Sequence, residues 1–204
     1  MGTSSLFPGD GTGGFGQPLD SPDQATASIL YAGPGQVNIL VPDGLALGAG
    51  SLKVSNSLGA SVAFPISVGT AAPGLFTVDA AGMIPAAQVL TVSPDGTRTT
   101  NPVANCTGSN CVLVPIVLDP ANQTYLLLYG TGIRGGQGLG TISAWFGGDP
   151  GTVTYAGPQG GYPGLDQVNL LIPQNLAGSG QAPLKVEIES NPELTSNTVQ
   201  LLFQ

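Results

Sequence analysis

The sequence has no histidine, four lysines and arginines in all, two cysteines and one tryptophan among its 204 residues. Each shortage excludes a class of function. Without histidine there is no triad built on an imidazole base, and the commonest zinc ligand is missing. Twelve carboxylates against those four cationic side chains give a net charge of −8 and a sequence pI near 4.1. No cationic stripe is available to neutralise phosphates. This excludes nucleic acid as a partner and argues against docking on an anionic membrane. No apolar run approaches the roughly 18 residues that a bilayer-spanning helix needs, so membrane insertion is not expected. The opening residues Met1-Gly2-Thr3-Ser4-Ser5 hold neither a charged stretch nor an apolar one, and no signal peptide is expected within this chain.

Turn formers and apolar residues are plentiful. There are 32 glycines and 18 prolines, about a quarter of the chain, yet 41% of residues are hydrophobic and only 8% are charged. Disordered chains show the opposite balance. Mean hydropathy is +0.25, which describes a folded chain with many turns. The apolar residues alternate or form short runs, bounded every 8–12 residues by Gly, Pro, Asn or Asp, as in an all-β sandwich. Strands are expected over residues 27–31, 36–41, 51–55, 61–68, 87–92, 112–117, 124–129, 141–146, 152–155, 167–172, 184–188 and 199–203. No window of a dozen residues keeps a helical period without Gly or Pro. A single helical turn is expected at most, near Leu45-Ala46-Leu47 or Leu176-Ala177.

The chain also repeats itself. Tyr31-Ala32-Gly33-Pro34 returns as Tyr155-Ala156-Gly157-Pro158, and Gln36-Val37-Asn38-Ile39-Leu40-Val41-Pro42 returns as Gln167-Val168-Asn169-Leu170-Leu171-Ile172-Pro173. Leu52-Lys53-Val54 then returns as Leu184-Lys185-Val186. Ordered recurrence of this kind marks two tandem units. A first unit over residues 1–70 and a second over 71–204 are expected, joined near residues 69–75. The second carries an N-terminal hairpin and the Cys106–Cys111 loop. Before its Tyr-Ala-Gly-Pro turn the first unit has less chain than the second, so it is expected to be short of one or two strands. An incomplete sandwich exposes an edge that invites strand addition.

Candidate site residues follow from local chemistry. Asn38 and Asn169 interrupt apolar runs, where an amide must find partners. With Gln36 and Gln167 they are expected to pin the preceding turn through bonds to its backbone, a ligand-binding role being the alternative. Cys106 and Cys111 lack the further ligands zinc requires, which favours a disulfide over two free thiols. No cofactor or metal is expected. Paired carboxylates can hydrolyse glycosides without histidine, but Asp10, Asp20, Asp23, Asp43, Asp79, Asp95, Asp119, Asp149, Asp166, Glu187, Glu189 and Glu193 mostly adjoin Gly or Pro, where Asp stabilises turns. No catalytic residue is therefore assigned. Lys53 and Lys185 are read as ordinary strand lysines. The glycine-rich run Gly9-Asp10-Gly11-Thr12-Gly13-Gly14 lacks the end of a phosphate loop and is read as a turn. Arg134 is expected to pair with Asp149 or Asp166 and order the 135–140 loop. Trp145 and Phe146 are expected in the core or between units. Tyr162, Arg134 and Asp166 are the candidates for a loop ligand contact.

With these motifs in order, the chain resembles the Solibacter uncharacterised C-terminal domain family of secreted acidobacterial proteins. The stretches that carry the resemblance are the Gln36 block, Ala72-Pro73-Gly74-Leu75-Phe76, Pro85-Ala86-Ala87-Gln88-Val89-Leu90 with Pro94-Asp95-Gly96, and the Cys106–Cys111 loop. Leu128-Tyr129-Gly130-Thr131-Gly132-Ile133-Arg134, the second Tyr-Ala-Gly-Pro block, Gly164-Leu165-Asp166-Gln167-Val168-Asn169, Leu176-Ala177-Gly178 and Asn197-Thr198-Val199 follow. The resemblance implies two Ig-like sandwich units at the end of larger exported proteins, and no assigned activity. The expected function is a non-catalytic extracellular or cell-surface module, structural or adhesive. It is expected to form homo-oligomers or fibres by strand pairing. The alternative is a carbohydrate- or protein-binding module that uses loops of the second sandwich.

Overall fold

The structure, a computed structural model, describes residues 3–8, 25–134, 141–188 and 191–204. Alternating apolar and polar residues make extended chain nearly everywhere. The strands are β1 (Thr3–Pro8), β2 (Ala25–Gly33), β3 (Gln36–Leu40), β4 (Gly48–Asn56), β5 (Gly59–Ala60), β6 (Phe64–Val68), β7 (Gly74–Leu75), β8 (Ala87–Val92) and β9 (Arg98–Pro102). They continue as β10 (Ala104–Thr107), β11 (Asn110–Leu113), β12 (Gln123–Thr131), β13 (Ile142–Phe146), β14 (Asp149–Pro158), β15 (Asp166–Leu171), β16 (Gly180–Ile188) and β17 (Val199–Phe203). Single helical turns lie at Gln174–Leu176 and Pro192–Leu194. The fold is all-β, and its sheets pack as in a β-sandwich. The chain divides into two compact units, Met1–Thr70 and Ala71–Gln204.

In the second unit the strand order is β17-β16-β13-β14-β15-β12-β8-β9, with β7 on β12. The long strand β14 joins two sheets. Its first residues pair with β13, and Thr152 onward pairs with β15. A strand that changes partners in this way turns the corner of a sandwich. The period of two then fills the interior: Leu126 and Leu128 of β12, Val168 and Leu170 of β15, Leu184, Val186 and Ile188 of β16, and Val199 and Leu201 of β17 are all sealed from solvent. Full burial of each such side chain contributes about 1.5–3 kcal/mol. Phe146 meets Phe203 edge-to-face at 6.1 Å across this core.

The first unit repeats half of that plan. β6 pairs with β4, β4 with β1, β1 with β2 and β2 with β3. This matches β17-β16-β13-β14-β15 strand for strand. The register agrees as well. Leu52 lies opposite both Leu6 and Phe64, as Leu184 lies opposite both Phe146 and Val199. What differs is the cover. Phe64 is 57% exposed whereas its counterpart Val199 is buried, and Val37 is 38% exposed whereas its counterpart Val168 is buried. Among the described residues, nothing in the first unit corresponds to β12, β8 or β9.

Several expectations are corrected. The strand expected over 112–117 ends at Leu113: Pro115 cannot donate to a ladder, and beyond it Ile116 forms an isolated parallel bridge with Phe203. Residues 45–47 form no helical turn, whereas residues 174–176 do. The strands β9 and β10 are polar and largely exposed on both faces, so they lack the alternation that marks a strand in sequence. Trp145 points outward from β13, while its neighbour Phe146 points into the core. The glycine-rich run at 9–14 and the 135–140 loop lie outside the described residues.

A close approach ties the start of the second unit to β12. The Gly132 carbonyl accepts from the Ala72 N–H at 3.0 Å. Gly132 has φ +70°, and a Cβ on it would lie 2.0 Å from the Ala72 carbonyl oxygen. Gly132→Ala therefore combines left-handed strain with a backbone clash. The expected loss is about 3 kcal/mol or more of unfolding free energy, measured by urea denaturation against wild type.

Candidate functional site

Both units build the same hairpin before the Gln-x-Asn strand. β2 and β14 each carry a bulge, between Ile29 and Tyr31 and between Val153 and Tyr155, so that Tyr31 faces Asn38 and Tyr155 faces Asn169. A bulge turns the strand and re-aims the side chain that follows. Here it folds the tyrosine back over its own turn. The Tyr155 hydroxyl donates to the Pro158 carbonyl at 2.5 Å. Glycine at positions 33 and 157 leaves room for the ring: a Cβ there would sit 2.4 Å from the Tyr31 hydroxyl or 3.2 Å from the Tyr155 hydroxyl.

The amides act differently from expectation. Gln36 donates to the Asn38 side-chain oxygen at 2.5 Å, and Gln167 donates to that of Asn169 at 2.7 Å. Each pair sits at alternate positions of one strand, hence on the same face and within reach of the longer side chain. The amides satisfy each other, and in the second unit it is Tyr155 that holds the turn. Gln167 and Asn169 also lie on the outward face of β15, alternating with the buried Val168 and Leu170.

Asp166 is the most enclosed charged group among the described residues, with no exposed surface. One carboxylate oxygen accepts from the backbone N–H groups of Ile133 and Arg134 at 2.8 and 3.1 Å. The other accepts from Arg134 Nε at 2.5 Å, and a second guanidinium nitrogen donates to the Leu165 carbonyl at 2.9 Å. This pair fastens the chain leaving β12 to the start of β15. Asp149 takes another partner, the Asn175 amide at 2.8 Å. Asp166 is therefore removed from the candidate ligand contacts, because it is buried and its oxygens already accept three bonds. Tyr162 remains open, 72% exposed, on a loop closed by the Gln159 N–H donating to the Leu165 carbonyl at 2.9 Å.

Two further anchors carry weak sequence signals. Ser196 is buried: it accepts from the Val186 N–H at 3.0 Å and donates to the Asn197 carbonyl at 2.8 Å. Ser61 does the same for Val54 and Val62, at 3.1 and 2.8 Å. The cue was a serine downstream of each Leu-Lys-Val block, hidden because the spacing differs between the repeats. The Asn197 side chain accepts from the Leu75 N–H at 2.7 Å and donates to its carbonyl at 3.2 Å, standing in for a ladder partner of β7.

The remaining candidates are local. Cys106 and Cys111 face each other across the β10–β11 hairpin and form a disulfide. Lys185 and the Trp145 indole both donate to Glu187 on the outer face of β13 and β16. Asp79, Asp95 and Asp119 accept backbone N–H groups two to five residues ahead, as turn aspartates do. Among the described residues no three potential metal ligands converge. No helix described is long and apolar enough to cross a membrane. No family model matches the chain, and no curated protein matches it.

Asp166→Ala orphans two backbone donors in the sandwich and releases the 130–134 segment. An expected loss of about 3 kcal/mol follows from removing one partner of a buried charged network. Arg134→Ala costs less, because the carboxylate keeps its two backbone donors and Arg134 is 39% exposed. Chemical denaturation of the two variants checks that order.

Proposed function

We propose that the chain is a non-catalytic extracellular module, structural or adhesive, whose first unit joins copies of the protein into oligomers or fibres by strand pairing. The observation that carries this reading is the contrast between two equivalent strands. β15 lies inside a sheet, between β14 and β12, whereas β3 pairs with β2 alone among the described residues. An edge with unpaired backbone groups is a template for another strand. The Cys106–Cys111 disulfide is compatible with an oxidising compartment. The turn roles of the aspartates support a scaffold over a catalyst. The ordered blocks that resemble the Solibacter C-terminal family support attachment to larger exported proteins.

Solution mass by light scattering over a wide concentration range, with negative-stain images of the same samples, tests the reading. Wild type is expected to grow with concentration, and Val37→Lys, which puts a charge on the open edge, is expected to stay near 20.3 kDa. A wild-type mass that never changes would end it.

A second reading rests on Tyr162. An exposed ring on a Gly-rich loop with a fastened base can stack on a sugar. Glycan-array binding by wild type that disappears in Tyr162→Ala is the expected result; a wild type that binds nothing removes this reading.

A further inference from the structure

The outer face of β13 and β16 carries the chain's single tryptophan. Trp145 lies opposite Lys185 on one side and Pro150 on the other, and Ser143 lies opposite Glu187. Cross-strand partners share a face, and the buried Ala144 and Val186 between them fix that face as the outward one. The indole N–H donates to Glu187 at 3.1 Å. Glu187 is a diagonal neighbour, so the ring extends along the sheet instead of standing off it. Lys185 donates to the other Glu187 oxygen at 2.5 Å. Trp145 is half-buried, as befits a ring with one face on the sheet and the other in water.

The tandem repeat separates what the strands need from what this face adds. Leu52-Lys53-Val54 matches Leu184-Lys185-Val186, and Ser5 lies opposite Lys53 as Trp145 lies opposite Lys185. Ser55 falls where Glu187 does, two residues after the lysine. The same strands therefore pair with serine at both places. The tryptophan and its carboxylate are an addition of the second unit. On the outward positions of β13, β16 and β17 the charges are Lys185 and Glu187, one of each sign, on a chain of net charge −8. The patch, bordered by the exposed Pro150 and Pro183, is thus locally neutral, while the molecule as a whole repels polyanions.

We propose that this face binds a neutral β-1,4-linked glucan, with one pyranose ring stacked on Trp145. Equatorial hydroxyls leave the faces of such a ring lined by C–H groups, which pack on an indole. The hydroxyls at the ring edge then need polar partners, and the patch supplies them. The Lys185 ammonium has three donors and gives one to Glu187, and each carboxylate oxygen can accept more than one bond. Both side chains stay accessible beside the indole, Lys185 41% and Glu187 18% exposed. The proposal gives the adhesive reading a ligand class, and it depends neither on strand pairing nor on Tyr162.

Tryptophan fluorescence of the full chain reports on Trp145 alone. Titration with cellohexaose is expected to shift the wild-type emission saturably, and a polyanionic oligogalacturonate of the same length is expected to bind about tenfold more weakly. Native electrophoresis through gels containing hydroxyethyl cellulose follows the variants. Wild type and Tyr162→Ala are expected to be retarded relative to a glucan-free gel. Trp145→Ala is expected to lose the retardation, and Glu187→Gln to lose about tenfold in affinity, with far-UV circular dichroism that of wild type. Trp145→Phe keeps a ring without the bond to Glu187; it is expected to be retarded less than wild type, and carries the test should the alanine variant not fold. A wild type that neither shifts nor is retarded overturns the proposal and leaves self-assembly, which solution mass decides, untouched. Retardation kept in full by Trp145→Ala overturns it, in favour of the loop if Tyr162→Ala abolishes the effect. An emission that shifts with protein concentration and not with sugar overturns it in favour of a contact between copies at this face.

Discussion

The pairing of β12 with β15 is the constraint on which the rest of the molecule depends. It joins β14 and β15 to β8 and β9, and so completes the sheet that faces β13, β16 and β17. The leucines and valines of that contact are sealed from water, each contributing about 1.5–3 kcal/mol. Among the described residues the first unit holds the counterparts of β13 to β17 in the same order, and there Val37 and Phe64 are exposed. A strand without a neighbour on one side keeps the ladder it has and forgoes the hydrophobic stabilisation of the contact. The same sequence block is therefore core in one unit and surface in the other.

Polar groups fasten what the core cannot hold. Asp166 binds the segment that leaves β12, Asn197 completes the short strand β7, and Ser196 closes the hairpin into β17. Each is a buried or half-buried group whose bonds run to backbone, so each specifies one position of a loop against the sandwich. The glycines at 130 and 132 allow the approach that these anchors require: a Cβ on Gly130 would lie 2.4 Å from the Gly74 carbonyl oxygen. Loop chemistry and sheet packing cooperate at this end of the second unit, which is also where Tyr162 is displayed.

Much of the strand content was legible. Residues 87–92 and 199–203 are short windows rich in Val and Leu and form strands with those bounds. The pairing of Arg134 with an aspartate was legible as charge arithmetic, although the choice of Asp166 over Asp149 depended on which strand β12 meets. Less legible were β9 and β10, because exposed polar strands have no apolar period, and the outward position of Trp145, because an aromatic residue beside Phe146 fits either face of a strand. The Gln-x-Asn pairs misled for a related reason. Their spacing puts both amides on one face, but only the packed sheet shows that this face looks outward, where the amides bond each other.

The sequence by itself determined the all-β class, the tandem repeat and the turn positions, because these depend on alternation, β-branching and the backbone freedom of glycine and proline, which act over a few residues. Tertiary structure alone decided which copy of the repeat is buried, which aspartate receives the arginine and which strand edge is left open. Those outcomes depend on contacts between residues far apart in the chain, where one added strand changes a side chain from exposed to sealed without changing a letter of its local sequence.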